Sequence, residues 1–159
     1  NIDAFAFNSC TSLSQVNLSG CSYIGSSVFE SCYSLIQVSL PVCEYIGEYA
    51  FCKCSSLTQV SLPMCEYIGN YAFFDCKSLS QVSLSVCSYI GNRAFNGCYS
   101  LSTIILGYSS VCSLYASNVF EEAQITSSTG SIYVPASLVD AYKSANYWSY
   151  FSTQIFPIE

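Results

Sequence analysis

Chemistry in this chain has to come from cysteine, serine or carboxylate side chains, because the sequence holds 11 cysteines and no histidine. Without histidine there is no Ser-His triad, no His zinc ligand and no imidazole acid or base. Serine is abundant, but no Gly-x-Ser-x-Gly elbow sets one up as a nucleophile. Glu44 and Glu66 lie 22 residues apart in one repeating position, where an acid pair would be conceivable. Ser22 and Ser88 fill the same position, so repetition explains the two glutamates better than catalysis does. No catalytic residue and no metal ligand is assigned, no cofactor is expected, and the chain is read as a non-enzyme.

The cysteines fall into two columns: Cys10, Cys32, Cys54, Cys76 and Cys98, then Cys21, Cys43, Cys65 and Cys87. Three readings stand side by side. Zinc fits poorly, because the spacings are 11 or 22 residues rather than Cys-x2-Cys, and Cys52-Lys53-Cys54 is too tight for that motif. Disulfides suit a secreted cysteine-rich chain, and α-carbons stacked about 4.8 Å apart lie within bridging range. Parallel side chains do not favour the bond geometry, however. The third reading is a ladder of buried free thiols filling space as small apolar groups. Cys52 is the thiol expected to be exposed, because its column elsewhere holds Asn8, Glu30, Phe74 and Asn96.

Those spacings belong to a repeat that spans most of the chain. Phe7, Phe29, Phe51, Phe73 and Phe95 recur every 22 residues. Leu13, Leu35, Leu57, Leu79 and Leu101 keep the same interval, as do the Val16 and Leu18 columns. Tyr-Ile-Gly returns at Tyr45-Ile46-Gly47, Tyr67-Ile68-Gly69 and Tyr89-Ile90-Gly91. A unit this short cannot bury its own apolar side, whereas stacked coils can. Within a unit, Gln59-Val60-Ser61-Leu62 reads as a short strand with Val60 and Leu62 inward. Strands of successive coils then form a parallel sheet. The Gly47, Gly69 and Gly91 column is expected at a corner of positive φ, with Asp3 filling it in the first coil.

The pattern Ile68-Gly69-Asn70-Tyr71-Ala72-Phe73-Phe74-Asp75-Cys76-Lys77-Ser78-Leu79 resembles the BspA-type leucine-rich repeat. The resemblance covers residues 1–106. It implies a leucine-rich-repeat solenoid, often used in adhesion by bacterial surface proteins and in phage-encoded proteins, with no common catalytic residues to carry over. Five 22-residue coils are expected over 1–106. Residues 107–159 are expected to hold an irregular segment, a strand at Ser131–Val134, a helix from Ala136 and a terminal strand, together forming a small α+β C-terminal cap. Asn1-Ile2-Asp3 already sits at the Tyr-Ile-Gly position, so the first coil is expected to be uncapped, to fray, or to continue a longer solenoid.

Two surfaces are candidates for binding. Outward on the strands run Gln15, Gln37, Gln59 and Gln81, with Asn17, Ser39, Ser61 and Ser83 beside them. This is an uncharged sheet face that could read a glycan or an extended peptide, or whose amides could simply bond to one another. The second is a coil edge carrying Tyr49, Tyr71, Tyr33 and Tyr99 at positions that vary between coils. Tyrosine offers contact area with a polar tip, or merely covers the edge. The Tyr23, Tyr45, Tyr67 and Tyr89 column is expected to join Tyr49 and Tyr71 in one strip.

Composition narrows the partners. Charged residues make up only 9% of the chain, and the net charge is −6. Four basic residues cannot build a nucleic-acid footprint. No apolar run reaches the roughly 20 residues of a spanning helix, and no signal peptide is visible. The reading is an extracellular or cell-surface recognition module, or part of a phage particle, that binds a protein or glycan on a host or bacterial surface. The competing readings are a structural spacer and end-to-end self-association through the first coil.

Overall fold

The computed structural model describes residues 1–158 as a stack of short parallel strands. Each coil contributes one strand to each of two sheets. The first sheet contains β1 (Gln15–Asn17), β3 (Gln37–Ser39), β5 (Gln59–Ser61), β7 (Gln81–Leu84), β9 (Thr103–Leu106), β11 (Ser131–Val134) and β12 (Ile155–Pro157), in that order. The second contains β2 (Tyr23–Ile24), β4 (Tyr45–Ile46), β6 (Tyr67–Ile68), β8 (Tyr89–Ile90) and β10 (Ser113–Leu114). Register follows the repeat: Gln15 faces Gln37, Gln59 faces Gln81, and Ile46 faces Ile68. The leucine-rich-repeat solenoid expected from the sequence is the architecture observed.

The core is a set of identical columns. Phe29, Phe51, Phe73 and Phe95 are wholly buried, and their rings stack at 5.2 Å. Phe7 opens the column at 5.3 Å and Phe120 extends it at 5.8 Å. Leu35, Leu57, Leu79, Ile46 and Ile68 fill the space around them. Because every coil presents the same side chains, each buried ring matches the shape of the next, and the register cannot slip without opening voids.

The third side of each coil is a chain of turns in which backbone N–H groups alternate between partners. Phe51 and Lys53 donate to Ala72 and Phe74 of the next coil, while Cys52 and Cys54 donate back to Tyr49 and Phe51. This zigzag requires positive φ at two positions per coil, seen at Tyr49 (57°), Lys53 (61°), Tyr71 (56°), Asp75 (57°) and Gly97 (72°).

The structure therefore corrects the expectation for the glycine column. Gly47, Gly69 and Gly91 are not the positive-φ residues; that role falls two positions later. These glycines are needed because the preceding coil's backbone passes too close for a side chain. A Cβ at Gly47 would lie 2.6 Å from the carbonyl carbon of Gly25, and one at Gly69 would lie 2.8 Å from the corresponding atom of Gly47. Asp3 belongs to the first coil of the structure and meets no such wall.

Stacking also runs past residue 106. Although residues 107–130 lose the repeat's sequence, β10 pairs with β8 and β11 pairs with β9, so a sixth coil is present. Its side chains differ while its backbone still satisfies both sheet edges. β12 then pairs with β11, and α1 (Val139–Ser144) packs behind them. Tyr142 and Trp148 pin the cap to the sixth coil: the Cys112 N–H donates to the Tyr142 hydroxyl at 2.9 Å, and Trp148 Nε1 donates to the Cys112 carbonyl at 2.6 Å. At the other end Phe5 and Phe7 are exposed, and Ile2, Leu13 and Leu18 are half-buried.

Candidate functional site

All 11 cysteines are free thiols, and ten are buried. The exposed one is Cys10, not Cys52, which is 3% exposed. Cys10 stands in a column that each earlier coil would bury, and it belongs to the first coil. Cys52 is buried in its column between the positions of Glu30 and Phe74 in the adjacent coils. Burial first, then the nearby Glu30 carboxylate, pushes its thiol up to about 11. The thiols also do more than fill space. Cys54, Cys76 and Cys98 each donate to a carbonyl of the preceding coil at 3.1 Å, at Phe29, Phe51 and Phe73. Cys43 and Cys65 donate to Tyr45 and Tyr67 within their own coils at 3.3 Å. The sequence expectation of inert apolar fillers misses this. A small weak donor pairs with a carbonyl where a hydroxyl would face an apolar column.

The face of the first sheet brings the glutamine and serine candidates together. Gln15, Gln37, Gln59 and Gln81 form one exposed column, and Ser39, Ser61 and Ser83 lie beside it, with Ser61 paired to Ser83. Their amides do not hydrogen-bond to one another among the described residues; beside this face the Ser80 hydroxyl donates to the Thr58 carbonyl of the preceding coil at 3.1 Å. A recess of about 660 Å³ opens over Ile36, Gln37, Thr58, Gln59, Ser61, Gln81 and Ser83. Smaller ones of about 400 and 250 Å³ adjoin it, over Gln15, Asn17 and Ser39 and against Pro41 and Pro63.

At the fifth coil Thr103 and Ile105 replace glutamine and serine. The polar ladder ends there, but the surface continues through β11 and β12. Ser83 faces Ile105, Ile105 faces Tyr133, and Tyr133 faces Phe156. A further recess of about 600 Å³ is lined by Ile105, Ser131, Tyr133, Phe156, Pro157 and Ile158. The alternation of Ser131-Ile132-Tyr133-Val134 carries the signal, because its odd positions continue the outward columns.

The tyrosine candidates separate into distinct groups. Tyr49 and Tyr71 stack at 4.9 Å, with Phe74 tilted against Tyr71 at 5.7 Å. Burial, then the adjacent Tyr71 phenol, raises the Tyr49 hydroxyl above its ordinary range. Tyr23, Tyr45, Tyr67 and Tyr89 form their own stack at 4.8–5.0 Å. No ring contact joins the two stacks among the described residues, so the single strip expected from the sequence is two ladders on either side of the glycine corner. Tyr33 and Tyr99 lie three coils apart, with Ser55 and Lys77 between them in the column. Tyr99 is engaged locally, with Lys77 Nζ 5.9 Å from its ring centre and its hydroxyl 3.3 Å from Glu122.

The profile of the BspA type leucine rich repeat region matches in six copies, over residues 1–84 and 23–151. Among solved structures, a leucine-rich repeat protein from Bacteroides ovatus ATCC 8483 superposes with a TM-score of 0.60 at 28% identity, covering 82% of this chain and 36% of that one. A leucine-rich repeat protein of T. pallidum gives a TM-score of 0.63 at 26% identity, covering 76% of this chain and 57% of that one. The chain thus spans between about a third and somewhat over half of the proteins it superposes on. No curated protein matches the sequence significantly.

Proposed function

The chain belongs to the BspA-type leucine-rich repeat family, and from that premise we propose that it is a non-catalytic recognition module, extracellular or on a cell or phage surface, which binds a protein or glycan through the outward face of its first sheet. The observation that carries this reading is the recess of about 660 Å³ over Gln37, Gln59, Ser61, Gln81 and Ser83. Its amides and the Ser61 hydroxyl are exposed, the Ser83 hydroxyl is half-buried, and they are spaced by the sheet at about 4.8 Å. Amides whose backbone positions are fixed on a rigid scaffold are suited to recognition, because only their side-chain torsions remain to be ordered by a ligand.

The test is binding of the multivalently displayed chain to an array of glycans and host proteins. A Gln59→Ala/Gln81→Ala variant removes the centre of the face, and Tyr49→Ala/Tyr71→Ala removes the tyrosine edge. Signals lost only in the glutamine variant support this reading. Signals lost only in the tyrosine variant move the site to the edge. A silent array from a folded probe favours the spacer reading.

A further inference from the structure

The cap end of the first sheet carries aromatic side chains on its outward face, away from the core. Closing the solenoid is done by Ile132, Val134 and Ile155, all buried at 2% exposure or less. Tyr133 and Phe156 alternate with them and point the other way. Phe156 is 42% exposed and Ile158 is 38% exposed. The two rings lie 6.2 Å apart at 41°, over the recess they share with Ile105. Exposed aromatics on the last strands of a sheet invite aggregation, and Pro157 in β12 already blunts that edge. Aromatic rings placed on the outward side over a recess offer a surface suited to a ligand.

The lining says what kind. Among the described residues, no charged side chain lines this recess or the three recesses on the glutamine part of the face. The groups offered are ring and aliphatic surfaces, hydroxyls, and amides that both donate and accept. An extended peptide usually joins a sheet through a free strand edge. On this face β3, β5, β7, β9 and β11 are paired on both sides, and at the recess the one free edge is that of β12, where Pro157 removes a backbone donor. A pyranose ring, by contrast, has an apolar C–H face that packs on an aromatic ring and a rim of hydroxyls for amides. From β3 to β12 the sheet takes five strand steps, about 24 Å, which is room for several rings.

We infer that Ile105, Tyr133 and Phe156 form an anchor subsite for the end ring of a neutral oligosaccharide, whose following rings lie over Ser83, Gln81 and Gln59. This rests on the outward sheet face being the recognition surface.

The experiment uses the full chain with neutral hexasaccharides of β1,4-glucose, β1,3-glucose, β1,4-mannose and α1,4-glucose, a hexamer of uronic acids, and an uncharged Gly/Ser/Leu decapeptide. Calorimetry reads affinity, and saturation-transfer NMR reads which protons touch the protein. At least one neutral hexasaccharide binds, with saturation strongest on the C–H protons of one end ring, and the uronic acid hexamer does not bind. Phe156→Ala weakens binding about tenfold, the scale of one lost ring contact. Phe156→Tyr retains it, which separates a lost contact from a misfolded cap. Absence of binding by every neutral hexasaccharide overturns the inference, as does a bound hexasaccharide indifferent to Phe156→Ala. If Gln59→Ala/Gln81→Ala weakens binding and Phe156→Ala does not, the anchor is refuted and the glutamine face stands. Binding by the decapeptide alone refutes the saccharide and keeps the face. Binding lost only in Tyr49→Ala/Tyr71→Ala refutes both.

Discussion

Replacing Gly69 separates two reasons for a conserved-looking corner residue. If the corner required positive φ, asparagine would serve better than alanine, because Asn tolerates the left-handed region. In the structure the obstacle is space. A Cβ at Gly69 would meet the Glu48 nitrogen and the Gly47 carbonyl carbon at 2.8 Å each, and the Gly47 oxygen at 3.0 Å. These are backbone atoms of the adjoining coil, held by the inter-coil bond from Gly69 N to the Ile46 carbonyl at 2.9 Å. They cannot rotate away, so the coils must separate. Overpacking of a dense interior costs up to about 3 kcal/mol, and a rigid backbone wall places Gly69→Ala at that upper end. For a chain of this size that corresponds to a fall in Tm of about 6–12 °C. Gly69→Asn, with a larger side chain aimed at the same wall, falls further. Gly20 is the control: a Cβ there meets nothing within 4 Å, so Gly20→Ala leaves stability unchanged or slightly raised. Thermal and urea unfolding followed by circular dichroism measure all three. A Gly69→Asn variant more stable than Gly69→Ala would refute the steric account and restore the dihedral one.

The open first coil makes the same substitution cost different amounts along one column: Phe73→Ala loses roughly 3–5 kcal/mol and Phe7→Ala, at a ring 38% exposed, about 1 kcal/mol, as urea unfolding reads. Hydrogen exchange shows least protection over residues 1–20 and most over β5 and β7. Tyr142→Phe strands the buried Cys112 N–H and costs about 1–3 kcal/mol, with exchange in β12 rising before that in β5. In native protein a disulfide-exchange reagent modifies Cys10 quickly and the other ten thiols only on unfolding, Cys52 among the slow ones. Burial holds Cys43 and Cys52 up to about 11 against an ordinary 9.0, so the folded chain keeps protons that the unfolded chain releases. The stability they contribute is complete below pH 9 and is lost as pH rises through 11, which a series of melting curves from pH 8 to 11 records as a falling Tm.

The coil architecture was legible because a repeat states its own contacts. Phe29, Phe51, Phe73 and Phe95 can all be inside only if successive coils stack in register, and the Val38, Val60 and Val82 alternation gives the strand and its outward glutamines. Legibility failed where identity is lost. The sixth coil, 107–134, shares almost no side chains with the others, yet β10 and β11 pair as the repeat does, because sheet hydrogen bonds come from the backbone. The aromatic end of the outward face was missed for that reason: Tyr133 and Phe156 sit outside any repeating column in sequence and join Ser83 only through cross-strand register.

Periodicity in the chain alone therefore determined the solenoid, the buried columns and the row of outward amides, since 22-residue spacing converts sequence position directly into neighbourhood. Distances between backbones were decided only in the folded stack. They make Gly69 a matter of clearance rather than of φ, turn the Cys54 thiol toward the Phe29 carbonyl, and divide one apparent tyrosine strip into two ladders. Such separations depend on how closely one coil settles on the next. That is fixed by the packing of all the columns together and is written in no single residue.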